Sequence, residues 1–156
     1  MVVNVPLVLA NVVWPALYLS QRYYSWWAIA LGLVIETFAL RVLLKQSLPK
    51  SFLMALAANA ISAFVGVWVF VWIGFAWEYL LAYTVYQIIP LGTFNLFGWL
   101  ATTMLAAAFS TSIEWAVIRF LFRMPTTRRF VLLFFGANLI TAGIALVTLI
   151  VNPIKF

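Results

Sequence analysis

The stretch Ile35–Ala63, IETFALRVLLKQSLPKSFLMALAANAISA, decides how the chain is read. One acid, Glu36, stands in an apolar run. A basic turn follows with Arg41, Lys45 and Lys50, and then a second apolar run carries Asn59 and Ser62. Each run is long and continuous and does not alternate with period two. That pattern fits a helical hairpin in lipid and disfavours a closed barrel.

The same order recurs in Ile113–Ala142, IEWAVIRFLFRMPTTRRFVLLFFGANLITA. Glu114 takes the place of Glu36, and Arg119, Arg123, Arg128 and Arg129 supply the basic turn. Asn138 and Thr141 take the places of Asn59 and Ser62. Glu to Arg is five residues in both copies, Glu to Asn is 23 and 24, and Asn to the hydroxyl residue is three in both. Gly66 and Ala145 correspond, seven positions after each Asn. Rare polar residues at matched spacing in an apolar chain point to an internal duplication. The division is 1–76 for the first unit and 77–156 for the second. Each unit holds an outer segment, a Glu helix, a basic turn and an Asn helix.

Composition agrees. The chain has 156 residues, of which 67% are hydrophobic and only 8% charged. Soluble domains carry about a quarter charged residues, so this inventory cannot cover a water-facing surface. A bilayer core of about 30 Å needs roughly 20 helical residues. Four runs meet that length: Ser25–Leu44, Ser51–Ala76, Phe97–Phe122 and Phe130–Val151. The fold class is therefore an all-α integral membrane protein of four spans, arranged as two parallel hairpin repeats. Val2–Leu19, interrupted by Pro6 and Pro15, and Tyr79–Pro90 are read as interfacial or re-entrant segments before the first and third spans. A fifth span is the alternative for Val2–Leu19, which lacks the basic start and cleavage site of a removed signal peptide.

Basic residues set the orientation. Arg41, Lys45, Lys50, Arg119, Arg123, Arg128 and Arg129 surround the two hairpin turns, and only Arg22 and Lys155 lie at the opposite ends. This bias places both turns in the cytoplasm, in a prokaryotic inner or internal membrane. Two hairpins with turns on one side are parallel repeats, with an axis along the membrane normal. The same cations favour anionic lipid headgroups, while nucleic-acid binding is not expected, because they flank spans and form no separate domain. Tyr23, Tyr24, Trp26, Trp27, Trp77, Tyr79 and Trp99 suit an aromatic belt at the outer interface.

Missing residue types remove most chemistry. There is no Cys, no His and no Asp, and the only acids are Glu36, Glu78 and Glu114. Zinc and haem ligation by Cys or His, catalytic triads and thiol nucleophiles are excluded. No metal and no cofactor are expected. Glu78, beside Trp77, reads as a solvated charge.

The candidate residues are Glu36, Asn59, Ser62, Glu114, Asn138 and Thr141. Glu36 lies about eight residues before its turn and Asn59 about as far after it. At 1.5 Å per residue both sit about 12 Å from the turn, so each Glu can meet its own Asn. Asn59, Ser62, Ala63 and Gly66 share one helical face, as do Asn138, Thr141, Ala142 and Ala145. Such small-residue stripes let backbones approach and let polar groups bond across. The leading expectation is a non-enzymatic membrane subunit that scaffolds a complex, with self-association or other membrane subunits as partners and little aqueous interior of its own. The alternative is a small proton- or cation-coupled transporter or channel using Glu36 and Glu114, since intramembrane acids are functional candidates. A membrane-embedded enzyme comes last.

Overall fold

The computed structural model describes residues 25–84 and 96–151. Four helices occupy them: α1 (Trp26–Leu44), α2 (Leu48–Tyr83), α3 (Leu96–Ala116) and α4 (Arg128–Val151). A π-helical turn, Val117–Leu121, prolongs α3. All four helices are long and apolar enough to cross a membrane. The reading of Val2–Leu19, and that of Tyr79–Pro90 beyond Thr84, lie outside the described residues.

The four spans match the apolar runs, with one clear difference. The second run was expected to end at Ala76, with Tyr79 opening a separate segment. Instead α2 continues unbroken through Glu78 to Tyr83. The reason is local. No Gly or Pro stands between Trp77 and Tyr83, so nothing stops propagation. Its 36 residues make a rod of about 54 Å, well beyond the bilayer core. Hydropathy registers lipid thickness, not helix length. At its other end α2 starts before Ser51, at Leu48, with Pro49 in the first turn, where a missing N–H costs nothing.

The helices form a ring. α1 packs on α2 and α3 on α4 within the hairpins. Between hairpins α1 packs on α4 and α2 on α3. The two Glu helices stand on one diagonal and the two Asn helices on the other.

Both turns lie at the same end of the ring. Leu40, Met54 and Ala55 beside the first turn join Ile118, Met124, Phe130 and Phe134 beside the second in one buried cluster. Phe130 stacks on Phe134 at 5.4 Å between ring centres. Towards the other end a smaller cluster holds Ala106, Ala145 and Leu146. The second turn is strapped down: Trp115 Nε1 donates to Thr126 Oγ1 at 2.9 Å, and Thr127 Oγ1 caps α4 by accepting from the Phe130 N–H at 3.2 Å. Lys45 and Arg123 end the two Glu helices in the left-handed region, with φ of 51° and 54°. The outward faces of the helices are lined with exposed apolar side chains such as Val42, Phe64, Trp68 and Ile150. That distribution suits a lipid environment, where the solvent is itself apolar.

Candidate functional site

Helix register brings each Glu to its own Asn. Asn59 Nδ2 donates to Glu36 Oε2, and also to the Ala55 carbonyl one turn back at 2.9 Å. In the second hairpin Asn138 Nδ2 donates to Glu114 Oε2 at 2.8 Å and to the Phe134 carbonyl at 3.5 Å. Both amide protons of each Asn are therefore engaged, which fixes the side-chain orientation. Each amide oxygen remains an acceptor only.

The hydroxyl residues work between hairpins. Ser62 of α2 lies beside Glu114 of α3 on the wall of one interior cavity. Thr141 of α4 packs against Gly32 of α1, one turn from Glu36. Gly32 is needed here for space, because a Cβ would stand 3.2 Å from Thr141 Cγ2. Each acid thus meets the Asn of its own hairpin and lies beside the hydroxyl helix of the other. The two carboxyl groups are also electrostatic neighbours.

All six candidate residues line one interior cavity of about 310 Å³, together with Gly66, Ser110 and apolar side chains of α1, α2 and α3. The ring is therefore not solid at its centre. Small residues at the ring centre (Gly32, Ala63, Gly66, Ala106) leave room that four larger side chains would fill. Glu36 and Glu114 are 2% and 1% exposed, so both carboxyls lie inside the bundle. Among the described residues no Lys or Arg lines the cavity. Arg41, Lys45, Lys50, Arg119, Arg123, Arg128 and Arg129 are all exposed, at or near the end with the turns. Arg119 reaches the Met124 carbonyl at 3.4 Å and stays away from the acids.

The wall is uneven. On the α3 and α4 sides Ala106, Glu114, Asn138 and Thr141 are buried. On the α1 and α2 sides Ile29 and Leu56 line the cavity while 47% and 45% exposed. Among the described residues the wall is therefore least covered beside these two apolar side chains. Phe109 also lines it, and the sequence reading did not single it out. Its only signal is position, five residues before Glu114 and next to Ser110.

Among the described residues no group of His, Cys, Asp and Glu is arranged to hold a metal ion. Chemically the site can hold protons or accept hydrogen bonds from a cationic guest. Comparison with protein-family models, curated proteins and solved structures yields no match to this chain.

Proposed function

We propose that this chain is a non-enzymatic membrane protein that handles protons or small cations through Glu36 and Glu114. One observation carries the reading: two buried carboxyls share a cavity that, among the described residues, no basic side chain lines. Acids inside a membrane are costly and pair with one another, with a basic partner or with a guest. Here the guest or a proton is the available partner. Transport sites are commonly built between repeats, and this cavity lies between the two hairpins. We further read the hairpins as duplicated halves related by an axis along the membrane normal. Support comes from the matched Glu–Asn spacing and from left-handed residues nine positions after each acid. The basic turns face the cytoplasm of a prokaryotic inner or internal membrane, against anionic headgroups.

The test is flux from purified protein in liposomes. Proton or K⁺ flux should appear with the native chain and vanish in Glu36→Gln and Glu114→Gln, with folding intact. Gln retains the size and a hydrogen-bonding oxygen, so a merely structural acid tolerates the change.

A second reading has its own support. The acid–amide bonds and the Ser62 contact tie the helices together, so they also serve a subunit that scaffolds a membrane complex. Absence of flux, with a stoichiometric membrane partner or self-association on purification, would favour it.

A further inference from the structure

We infer that the guest of this cavity is an amphipathic organic amine, a monovalent ammonium head on an apolar body, that enters from the lipid phase. The inference rests on the reading of Glu36 and Glu114 as a cation-handling pair and names its substrate class. It joins the polar wall to the apolar flank.

The polar wall selects a donor. The carboxyls of Glu36 and Glu114 accept, and the Asn59 and Asn138 amide protons are already spent on them and on helix carbonyls. What remains towards a guest is oxygen. A primary ammonium brings three N–H donors and one positive charge, and so satisfies several acceptors at once. Charge-assisted bonds of this kind are the strong ones, more so in a desolvated site.

The remaining volume selects an apolar body. A dry cavity of about 150 Å³ accommodates benzene, so about 310 Å³ holds a ring and a short chain. Most of the lining is apolar, and the Phe109 ring adds a face that attracts cations. Ile29 and Leu56 line the cavity and are also exposed on the flank of the bundle. A strongly hydrated ion gains nothing from such a flank. An amphiphile already dissolved in the bilayer does.

The experiment is equilibrium binding of 3-phenylpropylammonium to the full chain in lipid nanodiscs, with 3-phenylpropanol as the neutral counterpart. Saturable binding of the amine alone is expected, falling by at least about tenfold in Glu36→Gln or Glu114→Gln, the loss of a charged hydrogen-bond partner. Leu56→Trp, which adds bulk to the cavity wall and leaves the acids in place, should weaken amine binding. Glu-dependent proton or K⁺ flux with no amine binding would overturn the substrate class and leave the cation reading standing. Equal binding of amine and alcohol, unaffected by Glu36→Gln, would overturn it as well. Neither flux nor amine binding would remove both.

Discussion

Gly32 of α1 faces Thr141 of α4 so closely that a methyl group at residue 32 would meet Thr141 Cγ2 at 3.2 Å. This contact joins the two hairpins beside Glu36. Thr141 cannot readily yield, because it is β-branched and its hydroxyl donates to the Ala137 carbonyl at 3.3 Å. Two effects compete in Gly32→Ala. Helix propensity gains about 1 kcal/mol, while overpacking costs about 1–3 kcal/mol. Gly32→Ala alone should therefore lower stability by about 1 kcal/mol. In a Thr141→Ser background, which lacks the offending methyl, the same change should raise it. Unfolding midpoints of the four chains in one detergent check this, and additivity of the two changes would contradict the contact.

The two acid–amide bonds differ in their surroundings. Asn138 is buried at 3% exposure, whereas Asn59 stands half-buried on the more open side of the cavity. Losing the donor beside a buried acceptor costs the full desolvation of that group, about 1–3 kcal/mol. The acceptors Glu36 and Glu114 are equally buried, at 2% and 1% exposure, so the exposure of Asn59 itself does not lessen the loss and both Asn59→Leu and Asn138→Leu should fall in that range. A double-mutant cycle of Glu114 with Asn138 should return a coupling of about 1 kcal/mol, within the span known for polar pairs in membranes. A loss well below that range for either variant would contradict the burial argument.

The spans and the meeting of each Glu with its Asn could be read from residues alone, because both follow from counting. An apolar run of bilayer length can hardly be anything but a helix, and equal distances from a turn put two residues at one depth. What counting could not reveal depends on how hairpins pack. The cavity arises where Gly32, Ala63, Gly66 and Ala106 converge from three helices, and no single helix carries that information. Phe109 escaped notice because an apolar residue among many has no contrast. Lys45 and Arg123 escaped it for another reason. A left-handed helix end is signalled by Gly or Asn, and here both ends use a cation. The π turn after Ala116 has no residue signature either.

Sidedness is open to direct chemistry, because the chain has no Cys. Gln46 and Arg128 flank the two turns, at the same end of the ring. Single Gln46→Cys and Arg128→Cys chains should react alike with a membrane-impermeant maleimide. The bias of the basic residues predicts labelling in inside-out vesicles and protection in right-side-out ones. Opposite behaviour of the two sites would mean that the hairpins are inverted with respect to each other.

The left-handed ends offer the last prediction, and its sign is the informative part. A side chain in that region costs about 1–2 kcal/mol, because Cβ crowds the following carbonyl, whereas Gly is free of the cost. Against this, a cation at a helix C-terminus gains about 0.3–1 kcal/mol from the helix dipole, and less when exposed to salt. Lys45 and Arg123 are both exposed, so the steric term should win. Lys45→Gly and Arg123→Gly should each raise stability by about 1 kcal/mol. Lys45→Ala keeps the crowded Cβ and removes the charge, so it should lower stability slightly. The three midpoints, compared at low and high salt, separate the terms. If Lys45→Gly proves less stable than Lys45→Ala at high salt, the helix does not end at Lys45 as described.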